Sequence, residues 1–166
     1  FPARFQLVAA MNPCPCGYWG DPDGACHCTP EQVRRYHGRI SGPLLDRIDM
    51  HVEMPRISFD KIQGPKGECS ALVRNRVVKT RAIQLQRNKT LNSRLTHHQI
   101  DELCMLKKTD RLLLQKAIEK LKLSARAYHR ILKLARTIAD MCETDHIETT
   151  HLMEAINYRK TDRHSS

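Results

Sequence analysis

Apolar and polar positions along this chain follow two different periods, and the change falls near the first third. From Phe5 to Met11 the residues are almost continuously apolar, a run of strand length that ends at Asn12-Pro13. From Ile48 to Met54, Ile48, Met50, Val52 and Met54 alternate with Asp49, His51 and Glu53, a period of two. Both segments read as strands, so Asn12 falls at the exit of one and Arg47 at the start of the other. Beyond Gly64-Pro65-Lys66-Gly67 the spacing becomes that of helices.

Helix starts are marked by local chemistry. Thr29-Pro30-Glu31-Gln32 combines an N-cap hydroxyl, a proline at the first helical position and a glutamine that closes a capping box, giving a short helix that ends near Gly38. Ser70 is expected to cap a helix to about Asn88 with a stripe of Ala71, Val78, Ala82 and Leu85. Thr96 with Gln99 is a second capping box, opening a helix through Ile100, Leu103 and Cys104. Thr109 starts a further helix with Leu114, Ala117, Ile118 and Leu121 on one face. Ser124 caps the best amphipathic segment, which aligns Tyr128, Ile131, Ala135, Ile138 and Cys142 and sets Arg126, Arg130 and Lys133 on another side. A last helix from about Thr150 to Arg159 is expected to bury Leu152, Met153 and Ile156.

The charge is uneven. Ser70 to Met141 holds 17 Lys and Arg against 5 Asp and Glu, in a chain whose total formal charge is +10. So basic a half suits a polyphosphate, a nucleic-acid backbone or an acidic partner, and equally suits solvated helix faces. No apolar run approaches the roughly 20 residues of a membrane-spanning helix, and the N-terminus lacks a signal pattern, which reads as a soluble, cytoplasmic protein with no membrane partner. The chain opens on Phe1, directly before an apolar strand, and reads as a clipped piece of a longer one.

Cys14, Cys16, Cys26 and Cys28 form two C-x-C pairs separated by nine residues, in a loop too rich in Gly and Pro for helix or strand. Four thiolates so arranged can converge on a tetrahedral Zn2+, although structural zinc more often uses wider C-x2-4-C spacings; reduced or partly oxidised packing cysteines are the other reading. Cys69, Cys104 and Cys142 are scattered and read as ordinary buried thiols. Arg126 poses an electrostatic question, because it lies two residues after the Ser124 cap, where the helix dipole already places positive charge. A bound phosphate would resolve it; an arginine with a packed stem and a solvated head would also do. Arg47 could simply pair with Asp46 or Asp49, and Asn12 could simply start the Asn-Pro turn.

Three motifs in order decide between these readings. Ala9-Ala-Met-Asn-Pro13, Arg39-Ile-Ser-Gly-Pro-Leu-Leu-Asp-Arg-Ile-Asp49 and Ser124-Ala-Arg-Ala-Tyr-His-Arg-Ile-Leu-Lys-Leu-Ala-Arg136 resemble the magnesium-chelatase-like branch of the AAA+ ATPases. The Asn-Pro-Cys-Pro-Cys-Gly run resembles its ComM group more than the pigment-synthesis chelatase subunits. The resemblance implies that Asn12 is the sensor-1 residue that orients the water attacking the ATP γ-phosphate. It makes Arg47 an arginine finger reaching into a neighbouring subunit's nucleotide, and Arg126 the sensor-2 arginine on the helical lid. It also implies ATP with Mg2+ as cofactor of the whole protein, a homo-oligomeric ring, expected to be a hexamer, and ATP-driven movement on DNA such as branch migration.

No G-x-x-x-x-G-K-[ST] phosphate loop occurs in the 166 residues, so by this reading the chain alone hydrolyses no ATP. The fold expected is mixed α and β, mostly α: residues 1–55 as the C-terminal part of an AAA+ core with about two strands and the cysteine loop 14–28, a linker 56–69, a helical lid 70–160 and a disordered tail 161–166. Two other functions stay open at this point, a zinc-stabilised nucleic-acid-binding module without ATPase activity and the motor subunit of magnesium chelatase proper.

Overall fold

In a computed structural model the described residues are 5–22, 24–55, 57, 63–65 and 67–159. The chain divides into two units, one running to Gly42 and the other starting at Pro43. Half of the expected linker 56–69 and all of the expected tail 161–166 lie outside the described residues.

The first unit is a loop and a helix. Its loop is built from turns closed by Gly17 N–H to Cys14 O, Asp21 N–H to Tyr18 O and Gly24 N–H to Asp21 O, each 3.0 Å. The first of these needs a positive φ at its last residue, and Gly17 supplies it at +84°. Helix α1 (Pro30–His37) starts as its sequence demands: Thr29 Oγ1 accepts from Gln32 N–H at 3.3 Å and Gln32 Oε1 accepts from Thr29 N–H at 2.9 Å. Cys14 and Val33 are the buried hydrophobic residues described in this unit.

The second unit is helical. After a single helical turn α2 (Gly42–Leu45) come α3 (Ser70–Asn88), a 3-10 turn at Asn92–Arg94, α4 (His97–Leu103), α5 (Lys108–Lys120), α6 (Ala125–Met141) and α7 (Thr149–Asn157). Helix α6 is the hub, packing on α3, the 3-10 turn, α4 and α7, while α5 packs on α7. It holds that place because Ala127, Ile131, Ala135, Ile138 and Ala139 recur every three or four residues and are all buried. Against them lie Leu95, Ile100, Cys104, Leu114, Ile147, Leu152 and Ile156. Helices α5 and α6 end alike, with Lys122 (φ +47°) and Glu143 (φ +57°) in the left-handed conformation. In each the next amide reaches back five residues, Leu123 to Ile118 O and Thr144 to Ala139 O, both at 3.0 Å.

Beside the apolar core sits a buried polar knot. Asp140, 1% exposed, accepts from Arg87 Nη1 at 2.5 Å and Nη2 at 2.9 Å, from Asn92 Nδ2 at 2.7 Å and from Arg136 Nε at 3.0 Å. These bonds join the C-terminal turn of α3, the 3-10 turn and α6. Arg136 also donates to the carbonyls of Thr144 and Asp145, closing the end of α6.

Several expectations are corrected. The two strands do not form: among the described residues there is no strand, and 5–12 and 50–55 have no regular structure. A strand's backbone groups need a neighbouring ladder, and these segments find none; Phe5, Val8 and Met54 are left 78%, 84% and 81% exposed. The mostly helical character does hold. Helix α3 begins at Ser70 itself, after an N-cap Cys69 that makes no side-chain bond. It turns Thr80 and Gln84 inward, leaving Ala71, Val78, Ala82 and Leu85 exposed. The reason is Gln84, whose Oε1 takes the Asn92 N–H at 3.1 Å, so a polar contact sets the helix face. Met153 is exposed in α7, and of the three scattered thiols only Cys104 is buried.

Candidate functional site

The four loop cysteines converge. Sγ of Cys14 lies 3.3 Å from that of Cys16 and 3.8 Å from that of Cys26, Cys16 and Cys26 are 3.6 Å apart, and all four sulfurs fall within 4.8 Å of one another. A tetrahedral ion with bonds of about 2.3 Å sets its sulfurs about 3.8 Å apart, so this donor set fits Zn2+ without rearranging the loop. All four are free thiols, and Cys14 is fully buried. Backbone N–H groups face every sulfur: Trp19 at Cys14, Tyr18 and His27 at Cys16, Cys28 at Cys26, and Cys16 at Cys28.

Those of Tyr18 and His27 bring the Cys16 thiol down to about 6. Cys28 goes the other way: although the Cys16 N–H favours its thiolate, the Cys16 side chain, burial and Cys14 push it up to about 12. The four cannot all ionise side by side unaided. A dication among them would remove that conflict, which is the electrostatic signature of a thiolate metal centre.

Asn12 lies in the same unit, exposed, two residues before Cys14. Its carboxamide lies along the Cys14–Gly17 turn, where a Cβ on Gly17 would come within 3.8 Å of Asn12 Nδ2. The following carbonyl, Pro13 O, accepts from His37 Nε2 of α1 at 2.8 Å.

Arg47 and Arg126 both belong to the second unit and both are exposed. Arg47 Nη1 donates to Pro43 O at 2.9 Å, one turn back. The expected local pairings of Arg47 with Asp46 or Asp49 do not form; those carboxylates are taken by other residues. Ser124 Oγ meets Asp46 Oδ2 at 2.8 Å and Oδ1 at 3.0 Å, while accepting the Ala127 N–H at 3.2 Å as the N-cap of α6. Arg159 Nη2 donates to Asp46 Oδ1 at 3.2 Å and Arg159 Nη1 to Ile48 O. Arg130 Nη1 donates to Arg47 O at 2.5 Å and pairs with Asp49. His51 N–H donates to Tyr158 O at 2.9 Å. Segment 46–51 is thereby fastened to α6 and to the end of α7.

Arg126 is in the first turn of α6, next to its cap, and has no hydrogen-bond or ion-pair partner among the described residues. A lone cation over the free N–H groups of a 17-residue helix is unfavourable until an anion arrives. Asp46, Arg130 and Arg159 are the residues that sequence reasoning did not assign. Their partners lie between 78 and 113 positions away, and no local pattern reports such pairs.

Comparison with known proteins identifies the family. The family described as "Magnesium chelatase, subunit ChlI C-terminal" matches residues 67–159, and "Magnesium chelatase, subunit ChlI" matches residues 1–62. Competence protein ComM of Haemophilus influenzae is 47% identical over 161 residues, 96% of this chain and 31% of that protein. The protein YifB of Salmonella typhimurium is 45% identical over 165 residues, 98% of this chain and 32% of its own length. A protein of Mycobacterium tuberculosis, Rv2897c, is 35% identical over 166 residues. The chain spans about a third of the length of the curated relatives it matches. Two adjoining family matches, and identities this high over nearly every residue, establish that the chain belongs to the magnesium chelatase subunit ChlI family.

Proposed function

We propose that this chain supplies three nucleotide-handling residues to a ring-forming AAA+ ATPase whose phosphate cradle is outside these residues. Asn12 acts as sensor 1 and orients the attacking water. Arg47 acts in trans on the nucleotide of the adjacent subunit, and Arg126 contacts the γ-phosphate from the lid. In this reading residues 1–55 belong to the ATPase core, 56–69 link it to the lid, and 70–160 are the lid, with 161–166 a tail. The ring is a cytoplasmic hexamer that uses ATP with Mg2+ to move on DNA.

The observation that carries the proposal is Arg126, a guanidinium in the first turn of α6 with no partner among the described residues, where a bound anion would supply one. Family membership supports the ATPase reading, and the 17 Lys and Arg between Ser70 and Met141 support a nucleic-acid partner. The cysteine geometry supports Zn2+ held by Cys14, Cys16, Cys26 and Cys28, where it would cross-link a loop that has little apolar core of its own. Among the described residues no helix is long and apolar enough to cross a membrane.

Arg47→Ala in the full-length ring tests the proposal: kcat for ATP should fall by about 10³-fold or more with nucleotide affinity retained, and normal turnover would refute it. A second reading, the motor subunit of magnesium chelatase itself, is favoured by the family description. It predicts that ATPase activity rises with a porphyrin and partner subunits, where the first predicts stimulation by branched DNA.

A further inference from the structure

The anchoring of segment 46–51 exceeds what a surface turn needs. Arg47, Asp49 and Met50 are exposed and Asp46, Ile48 and His51 only partly buried, yet Arg130, Arg159 and Ser124 all converge on this segment. Arg159 gives up nearly all its hydration for this, being 1% exposed, and ion pairs of that kind repay desolvation only with good geometry. The anchors take the carbonyls of Arg47 and Ile48 and the carboxylates of Asp46 and Asp49. They leave the Arg47 guanidinium outside the clamp, where among the described residues it donates to Pro43 O. The main chain around Arg47 is thus fixed relative to the first turn of α6, two residues from Arg126.

We propose that Asp46 is a positioning residue: through Ser124 it locks the register between Arg47 and the N-terminus of α6, so that the two arginines move as one lever. This rests on the reading of Arg47 and Arg126 given above. When an anion draws Arg126 and the α6 terminus inward, the Ser124–Asp46 bond transmits the displacement to Arg47. Nucleotide state in one subunit is thereby passed to the arginine that faces the next. Ser124 is suited to this because one hydroxyl serves both as helix cap and as latch.

The two roles separate by substitution in the full-length ring. Ser124→Asp keeps a good N-cap acceptor but sets a second carboxylate against Asp46. Ser124→Thr keeps both roles. The latch predicts that Ser124→Asp lowers kcat about 10²-fold, the scale of an ångström's misplacement of a catalytic group, with nucleotide affinity unchanged. It also predicts faster hydrogen exchange at the His51 amide, and near wild-type behaviour for Ser124→Thr. Wild-type kcat in Ser124→Asp, or an equal loss in Ser124→Thr, would overturn it. Should Ser124→Asp fail to fold, Ser124→Gly decides by the same measurements, since glycine at an N-cap costs only a few tenths of a kcal/mol. Arg47→Ala in parallel separates the two claims: an active Arg47→Ala ring removes the underlying reading, whereas an inactive one beside an active Ser124→Asp ring removes the latch alone.

Discussion

The unit up to Gly42 and the unit from Pro43 solve the same problem by different means. In the first, the described buried hydrophobic residues are Cys14 and Val33, and the loop is closed by turns and convergent sulfurs. In the second, a stripe of Ala and Ile along α6 meets a contiguous apolar cluster, with a polar knot at its edge. Within these residues the first unit buries little apolar surface, and the convergent thiols are the feature proposed to cross-link it. Convergent thiols, proposed above to hold Zn2+, and hydrophobic burial thus divide the chain between them.

That contrast can be broken most decisively by removing metal. Structural zinc in small thiolate sites contributes about 10–16 kcal/mol of apparent folding free energy, so chelation should unfold the cysteine loop and expose it to protease while helical circular dichroism persists. Metal analysis of protein purified without chelator should give one zinc per chain, and Co2+ substitution should give tetrahedral thiolate absorption. A loop equally protected in the presence and absence of metal would abolish the distinction.

Within the helical unit, Asp140→Ala should destabilise by about 3–5 kcal/mol in denaturant titration, because Arg136 would be left buried without its carboxylate. The same substitution should leave metal content untouched. The smallest effect expected is a gain. Lys122→Gly relieves a left-handed conformation at an exposed position and should add about 0.5–1 kcal/mol.

What was legible in the sequence was local. The capping boxes at Thr29 and Thr96 and the N-cap at Ser124 form as read, since each joins residues three positions apart. The four cysteines read as one set also come together. Helix ends were harder to read, because Lys122 and Glu143 take the positions where a glycine would have signalled a stop. The α3 face was misjudged because Gln84 and Thr80, not the apolar stripe, point inward. The alternation from Ile48 to Met54 resembled a strand, whereas the backbone there is held by side chains from α6 and from the residues at the end of α7. Asn12, Arg47 and Arg126 were selected by motif, and kinetics on the full-length protein is their test.

The reach of Arg159 back to Ile48, across 111 positions, carries a consequence for biogenesis. A contact across so long a stretch of chain forms late, only after Arg159 has left the ribosome. Until then segment 46–51 has Arg130 and Ser124 to hold it, but not Arg159. A nascent chain, or one trimmed before Arg159, therefore lacks this clasp on Ile48 and Asp46.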